Sequence, residues 1–456
     1  MFNKYTLKIL KTMKNNIYLI SLIFFINTLV YGQEKILDAY VNKALEENQS
    51  IKQQKFLLEK NLWALEEAKG FFLPSVNFVT TYTLARGGRR INLPVGDLVN
   101  PVYRTLNLLT ASNNFPQIAN TEEQFLPNNF YDARIKIQQP ILNYEITYNK
   151  RIKQTQIELQ KNEIEIYKRE LTKDIKLAYF KYLQSIEAVK IYQNGNVLLD
   201  ESQRINESLI KNGMVNNTVL LKIDAERQKL KAKIIEAQNN QKNALAYCNF
   251  LLNQNFDNAI EIDSVYFNRF LILPEVNGSV EKREELNKLA IAKGIQQNIL
   301  ALNKASFYPK LGAGLDVGSQ AFHWQVDNKS AYYLLGINLE VPIFNGFRNK
   351  NKIKQTKADI DALDAQTEQV KSQLKLANQM AKNNYENAWN IYLTYPSQLE
   401  AYQKNYQDLF KKYKQGQGTI IELLQSQNDI INTKILQSLS FFDIWLKKVE
   451  LERTIQ

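Results

Sequence analysis

The sequence is poor in the residues on which most catalytic and metal sites depend. It contains one cysteine, Cys248, and one histidine, His323, in 456 residues. A single cysteine excludes an intramolecular disulfide, and these two residues are too few for a cysteine–histidine metal cluster. A nucleophile–histidine pair would have to use His323, which stands between Phe322 and Trp324. The sequence therefore offers no enzyme site, and no cofactor is expected.

A strong excess of one charge is also lacking. The chain has 58 Lys and Arg against 46 Asp and Glu, a formal net charge of +12. Part of this excess comes from four lysines in the first 32 residues, which contain no acidic residue. Elsewhere Lys, Glu, Gln and Asn are interspersed. This pattern favours solvated helix surfaces over a nucleic-acid-binding patch, so no nucleic-acid partner is expected.

Long apolar runs are absent except near the N-terminus. There, a basic start is followed by IYLISLIFFINTLVYG, which ends at Gly32. This pattern predicts a secretory signal peptide at residues 1–32, and the run is too short to favour a permanent transmembrane helix. Met13 is an alternative start, because residues 1–12 add nothing that a signal requires. The exported chain is expected to be periplasmic, secreted or a membrane β-barrel.

The second half of the chain repeats sequence motifs of the first half. The segment PILNYEITYNKRIKQT at Pro140 returns as PIFNGFRNKNKIKQT at Pro342. FFLPSVNFVTTYT is likewise matched by FYPKLGAGLDVG, and KNGMVNNTVLL by KQGQGTIIELL. The matched segments keep one order, and Pro140 precedes Gly213 by 73 residues while Pro342 precedes Gly416 by 74. An internal duplication is therefore predicted. Its parts are a first repeat at 33–255, a linker at 256–280 and a second repeat at 281–456.

Four short segments alternate between apolar and polar residues. This period of two is typical of half-buried β-strands. Strands of about ten residues with one apolar face are also what a transmembrane barrel requires. His323 follows the third segment and is expected at the tip of a hairpin. The predicted strands are 74–84, 131–139, 311–318 and 332–341.

Most of the remaining sequence is predicted to be helical. Helices at 37–70 and 281–306 precede the strands, and much longer helices with heptad-like seams follow them. A helix over 143–212 would be about 105 Å long, too long for a globular core. It indicates projecting antiparallel helices that turn back at Gly213 and Gly416, with Cys248 packed along one seam. The predicted seam residues are Ile157, Ile164, Leu171, Ile175, Ala178, Tyr182, Val189 and Tyr192, then Ile223, Leu230, Ala237, Ala244 and Leu251, and in the second repeat Leu374, Ala377, Ala381, Ala388, Ile391 and Tyr395.

Four strands cannot close a membrane barrel, and an open sheet edge cannot face lipid. Several copies must therefore combine. Two copies give eight strands, too narrow for a wide pore, whereas three give twelve. A homotrimer is the economical prediction.

The doubled order of helix, two strands, long helix, glycine turn and helix resembles the TolC-type outer-membrane efflux protein family, in particular its Bacteroidetes-like members. The residues that carry the resemblance are FLP and YP before the strands, QQPILN and VPIFNG after them, and the glycine turns followed by VLL and IELL. It implies an α+β membrane protein with four transmembrane β-strands per chain. In a homotrimer these would form a 12-stranded outer-membrane barrel, continued by a long α-helical coiled-coil periplasmic tunnel.

The resemblance also implies a function. It is that of an exit duct in a tripartite efflux or type I secretion system, which passively conducts substrates from a periplasmic pump assembly to the exterior. The implied partners are a periplasmic adaptor, an inner-membrane transporter of the RND, ABC or MFS type, and outer-membrane lipid. An alternative interpretation is a secreted or periplasmic structural coiled-coil protein without a pore.

The resemblance assigns roles to residues near the two glycine turns. The periplasmic gate positions fall on Glu422 and Gln425, of which only Glu422 keeps a carboxylate; a solvated helix-face charge is the alternative for Glu422. The positions of the family's salt-bridge latch fall on Gly418 and Val219, so that latch is missing. The predicted adaptor-docking tips are Asn212, Gly213, Met214, Val215, Gly416, Gln417, Gly418 and Thr419.

Gly195 and Pro396 interrupt the two long helices 18 and 20 residues before the glycine turns, and we expect them to act as helix hinges. Pro140 and Pro342 mark the predicted strand-to-helix junctions. Their distances to the IKQT motif differ by one residue, which rotates a helix by about 100°, so the junctions should differ. The first repeat also has extra sequence at 86–128, which predicts a large extracellular loop, either a spacer or a lid.

Overall fold

The computed structural model describes residues 35–267 and 279–455. The predicted signal peptide and part of the predicted linker lie outside the described residues. The chain divides into two compact units. The helical unit contains the described residues up to Asn61, then 156–294 and 361 onward, and the sheet unit contains 62–155 and 295–360. Each predicted repeat contributes to both units, and the division into repeats stays a prediction.

The elements follow one another in the order that the sequence predicts. The helices are α1 (Lys35–Glu47), α2 (Gln49–Gly70), α3 (Val95–Thr110), α4 (Tyr144–Lys211), α5 (Thr218–Leu251), α6 (Glu284–Ala305), α7 (Arg348–Lys414) and α8 (Ile420–Thr454). The strands are β1 (Ser75–Thr83), β2 (Arg90–Leu93), β3 (Thr121–Gln124), β4 (Phe130–Leu142), β5 (Lys310–Phe322) and β6 (Ala331–Glu340). Among the described residues, no helix is both long enough and apolar enough to cross a membrane.

The four predicted strands are confirmed and form one antiparallel sheet in the order β1-β4-β5-β6. Val76 is opposite Ile137, Ile137 is opposite Leu315, and Leu315 is opposite Leu335. Because side chains alternate along a strand, this register places the predicted apolar residues of all four strands on one face. Most of these side chains are exposed in the single chain, as Phe78, Ile337 and Leu339 illustrate.

The opposite face of the sheet is polar and contains a charge cluster. Arg134 donates through Nη1 to Oδ2 of Asp132 at 2.8 Å, and its Nε lies 3.5 Å from Oδ2 of Asp316. The Tyr332 hydroxyl donates to the other oxygen of Asp132 at 2.9 Å. Gly318 is directly opposite Arg134, so the guanidinium side chain extends over a strand that has no side chain at that point. The sheet therefore has one apolar face and one polar face.

The predicted extracellular loop at 86–128 has secondary structure of its own, which its turn-rich composition did not predict. Helix α3 and the two-stranded ribbon β2–β3 lie within it. The side-chain amide of Asn100 pairs with both backbone groups of Ile118 at 2.8 Å, and that of Asn107 pairs with both groups of Phe115 at 2.8 and 3.0 Å. These two asparagines, seven residues apart, attach one face of α3 to the returning chain.

Two helix predictions need correction. The single helix predicted at 37–70 is wrong, because Asn48 separates α1 from α2: its side-chain oxygen accepts from the backbone N–H of Ser50 at 2.9 Å and so caps α2. The seam predicted for the second repeat is wrong at Ala377 and Ile391, which are exposed. The buried residues are Ala381, Tyr385, Ala388 and Tyr392, whose alternating spacing of four and three runs along a different line of the helix.

The other seams are confirmed in the helical unit. Most of the predicted seam residues on α4 and α5 are buried, including Ile175, Ile223 and Leu230, while Tyr192 and Ala244 are partly buried. Cys248 is buried on this seam, as predicted, and burial raises the pKa of its thiol to about 12. At pH 7 this group is a neutral packing residue.

Candidate functional site

The two predicted tips end their long helices with the same backbone motif. After α4, the N–H of Gly213 donates to Ile210 O and that of Met214 to Leu209 O, both at 2.9 Å. After α7, the N–H of Gly416 donates to Tyr413 O at 3.0 Å and that of Gln417 to Lys412 O at 2.9 Å. Both glycines have positive φ, +68° and +74°. This is the Schellman motif, in which the left-handed position favours glycine.

The helix that follows the second tip begins with a capping box. The Thr419 hydroxyl accepts from the N–H of Glu422 at 3.3 Å, and Oε2 of Glu422 accepts from the Thr419 N–H at 3.0 Å. The hydrogen bonds that this Oε2 accepts from the Thr419 backbone N–H and from the Thr419 hydroxyl lower the pKa of Glu422. The Thr-x-x-Glu pattern at 419–422 is a local sequence signal of such a cap. Glu422 is thus an exposed carboxylate held by the capping box, and both its gate role and the alternative of a solvated helix-face charge stay predictions.

Gln425 is the other predicted gate residue. It is exposed one turn further along α8, where its side-chain amide donates to Asp429 Oδ1 at 3.0 Å. Asp429 thus places a second carboxylate near this end of α8. This acid stands four residues after the neutral Gln425 and was not identified from the sequence.

Apolar packing is found at the positions of the family's latch. Val219 is buried in a cluster with Ile420 and Leu423, which joins the first turns of α5 and α8. A Cβ on Gly418 would lie 3.3 Å from the Tyr413 backbone nitrogen, so this residue fits closely against the end of α7. The tips of both predicted repeats are therefore held together within the helical unit without an ion pair at these two positions.

A buried polar network adjoins this apolar cluster. On α4, the Asn206 side chain accepts from the Tyr413 hydroxyl and donates to Ser202 O. Gln427 on α8 donates to the Ser202 hydroxyl at 2.6 Å and also faces the Tyr406 hydroxyl at 3.3 Å. Asn206, Ser202 and Gln427 are all at most 2% exposed. Buried polar groups of this kind favour a helix register in which they have partners; here Oε1 of Gln427 alone in this network is buried without one within the described chain.

The two predicted hinge residues lie in different environments. Helix α4 continues through Gly195, which is buried; a Cβ there would lie 2.9 Å from Ile431 Cδ1 and 3.1 Å from Leu230 Cδ2. Gly195 therefore permits close helix packing. Pro396 lies in the interior of α7 and is exposed. Because proline cannot donate to the carbonyl four residues earlier, the weak point in the helix is at Pro396.

The predicted strand-to-helix junctions are not alike. Pro140 does not end its strand, because β4 continues to Leu142 through a register shift between Pro140 and Leu142. Strand β6 ends at Glu340, before Pro342, and α7 begins only at Arg348. His323 follows β5 in the turn to β6, as predicted, and its N–H donates to Asn129 O at 2.7 Å.

An ion network connects the start of the second predicted repeat to the C-terminal helix. Glu285 accepts from Arg283 at 2.8 Å and from Arg453 at 2.7 Å, and Arg453 also donates to Glu170 at 3.0 Å. Burial raises the pKa of Glu285, but hydrogen bonds from the two arginines outweigh this effect and bring it to about 2. Nothing in the sequence pattern pointed to these residues.

No group of three or more metal-binding side chains comes together in the part of the chain that the structure describes. The arrangement is that of a helical scaffold with two exposed glycine tips and a sheet with one apolar face. Residues 282–439 match the family model for the outer membrane efflux protein. The chain carries an outer membrane efflux protein domain. The family match confirms the predicted resemblance and, with it, the outer-membrane location and the role in efflux transport; this is a family of channels, not of enzymes.

The fold is also that of solved outer-membrane channels. The CmeC channel of Campylobacter jejuni has a TM-score of 0.70 at 15% identity, with 92% of this chain and 85% of that chain covered. VceC of Vibrio cholerae gives 0.69 at 12%, covering 92% and 95%. The open state of MtrE of Neisseria gonorrhoeae gives 0.71 at 13%, covering 92% and 88%. Comparison with curated proteins gives no match.

Proposed function

We propose that this efflux protein is the exit duct of a tripartite efflux or type I secretion system. Its sheet unit would lie in the outer membrane, with the helices extending into the periplasm. The observation that carries the proposal is the four-stranded sheet with one continuous apolar face and one charged face. A globular protein would bury such an apolar face, whereas a membrane barrel presents it to lipid.

The edges of this sheet support a homotrimer. Strands β1 and β6, of 9 and 10 residues, each have a neighbour on one side only within the described chain. Unpaired N–H and C=O groups cannot face lipid, so β1 of one copy must pair with β6 of the next. Three copies give a closed barrel of twelve strands, whose polar faces would line the pore.

Disulfide crosslinking tests this arrangement. In a Cys248→Ser background, Thr81→Cys on β1 is combined in turn with cysteines along the polar face of β6, such as Asn338→Cys. We expect one register to yield a covalent trimer on denaturing gels. Thr81→Cys with Gln320→Cys on β5 is the matched control, because β4 lies between β1 and β5 within a chain, and β6 would lie between β1 and the β5 of the next copy. A ladder that ends at the dimer would contradict the trimer.

The glycine tips are proposed to meet a periplasmic adaptor, and Glu422 to contribute to a ring of three carboxylates at the entrance. The exposed turns at Met214 and Gln417 and the fixed carboxylate of Glu422 support these roles. A ring of fixed anions attracts cations and stores mutual repulsion, which favours opening. The inner-membrane transporter would be of the RND, ABC or MFS type.

Two measurements separate this function from a structural coiled coil without a pore. Purified protein in planar bilayers should produce discrete conductance steps, and affinity purification from membranes should recover an adaptor and a transporter. The matched variant is Glu422→Gln, which should lower the preference for cations without abolishing conductance. A preparation that is trimeric but never conducts would contradict the proposed function.

A further inference from the structure

An exposed aromatic belt surrounds the end of the sheet at which the long helices begin. Large apolar side chains occur there before and after the strands, and Ile343 is 94% exposed. In a membrane barrel, aromatic rings of this kind lie at the boundary between hydrocarbon and headgroups. The belt residues used below are Phe71, Phe72, Phe307, Tyr308, Phe344 and Phe347, all exposed in the single chain.

Two basic segments, residues 148–153 and 348–357, lie in the first turns of the long helices that follow the sheet strands. The second contains Arg348, Lys350, Lys352, Lys354 and Lys357, with no acidic residue between Glu340 and Asp359. The first contains Lys150, Arg151 and Lys153; the acid closest before it, Glu145, is paired with Lys310 at 2.8 Å. None of the eight basic side chains of these segments forms an ion pair within the described chain.

Three of the basic groups lie over aromatic rings, at distances typical of a cation–π interaction. Lys150 Nζ lies 5.9 Å from the centre of the Phe72 ring, and Lys350 Nζ lies 5.8 Å from that of Phe347. Within the first basic segment, the Arg151 guanidinium lies 5.3 Å from the Tyr148 ring. Lys150 and Lys350 therefore lie at the depth of the aromatic belt, and in a membrane barrel lipid headgroups are found at this depth. Their long side chains can extend to this layer while the aliphatic stems cover apolar surface.

We propose that the two basic segments bind the phosphate groups of anionic phospholipids in the periplasmic leaflet of the outer membrane. This inference rests on the proposed function, because it requires the sheet to span that membrane. It identifies the class of lipid: eight positive charges without acidic partners complement an anionic headgroup and gain little from a zwitterionic one. The contact fixes the depth of the barrel at the point where the tunnel helices emerge.

The test compares charge removal at two places on the same helix. The triple variant Lys350→Gln, Lys352→Gln and Lys354→Gln removes three charges of the second basic segment. The matched control, Lys371→Gln, Lys375→Gln and Lys382→Gln, removes three lysines further along α7 that form no ion pair in the described structure. Full-length trimers are exchanged into micelles that contain equal amounts of phosphatidylglycerol and phosphatidylcholine, and the retained lipids are quantified by mass spectrometry.

We expect the wild type and the control to retain phosphatidylglycerol preferentially. One lysine near an anionic surface contributes about fivefold in affinity, so the triple variant should lose at least about tenfold of this preference. The corresponding Lys→Arg triple should retain it, and high salt should weaken it in every variant. Equal retention of phosphatidylglycerol by the triple variant and the control would overturn the inference.

Conductance of the same preparations separates this inference from the function on which it rests. If the wild type conducts but shows no preference for phosphatidylglycerol, the lipid site is refuted and the exit duct stands. If the wild type forms no pore in either lipid, the exit duct is refuted and the inference with it.

Discussion

Replacement of Gly318 by alanine should separate strands β4 and β5. A Cβ at this position would lie 2.4 Å from the Ala133 carbonyl oxygen, 2.6 Å from Arg134 Cβ and 2.7 Å from Arg134 Cα. None of these atoms can rotate away, so the strands would have to move apart by at least about 0.6 Å. Overpacking against movable side chains costs about 1–3 kcal/mol, and a backbone obstacle belongs at the upper end, near 3 kcal/mol per chain.

Gly314→Ala is the matched control, on the same strand and the same polar face. Its Cβ would come no closer than 3.8 Å to the Ile137 carbonyl oxygen, and alanine gains up to about 1 kcal/mol over glycine in a strand. The assay is the temperature at which the trimer dissociates on a gel, with the far-ultraviolet circular dichroism of the sheet as a second measure. We expect Gly318→Ala to lower this temperature and Gly314→Ala to leave it unchanged or raise it. Similar behaviour of the two variants would refute the close approach of the strands.

Three further predictions concern the helices. Glu285→Gln should lower the free energy of unfolding by about 2 kcal/mol at neutral pH. The pKa of Glu285 is lowered to about 2, so its stabilisation is present above about pH 4–5 and is lost as the pH falls toward 2. Thermal melting curves of wild type and variant should therefore converge in acid. Asn206→Ala should lower the free energy of unfolding in urea by about 2–3 kcal/mol, because it leaves the buried Tyr413 hydroxyl without its acceptor. A double-mutant cycle with Tyr413→Phe should show that the two substitutions are energetically coupled. Pro396→Ala should stabilise α7 and alter conductance or drug susceptibility; an intact trimer with unchanged transport would argue against a hinge.

The strands could be predicted to within one to four residues at each end because their signal is local. A period of two is visible in ten residues, and the pairing of Ile137 with Leu315 is one of the registers in which the apolar faces coincide. The glycine tips were equally accessible, since positive φ at the end of a long helix favours one residue type.

The errors arose where the deciding contact is distant in sequence. Ile391 continues an apolar spacing along α7, but the neighbouring helices select the line through Tyr385 and Tyr392. Glycine is a helix-breaking residue type, so Gly195 alone predicts a weak point in the helix. Only the positions of Leu230 and Ile431 identify it as a residue that permits close helix packing. A heptad pattern specifies that a helix has a buried stripe, but two overlapping stripes can be distinguished only by the partner helices.

The Arg453–Glu285 network and the Asn206–Tyr413 pair were not predicted for a related reason. Their members are separated by 168 and 207 residues, and each side chain alone is an ordinary surface type. Asn48 differs, because a capping asparagine is a local signal. The surrounding sequence has high helix propensity without glycine or proline, and it therefore favours the prediction of one continuous helix. Long-range polar contacts therefore require the fold, whereas caps do not.

The two predicted repeats differ most at their strand-to-helix junctions, and this difference bears on the assembly. Strand β1 pairs with β4 only as far as Gln138, so Pro140 has no neighbour on that side to which an N–H could donate, and β4 can continue past it. Strand β6 instead ends before Pro342, and a longer connection leads to α7. The two junctions therefore differ in the length of the connection between strand and helix. In the proposed trimer, the six strand pairs and long helices of the wall cannot be equivalent, and the tips at Gly213 and Gly416 should present an adaptor with two kinds of groove in threefold, not sixfold, symmetry.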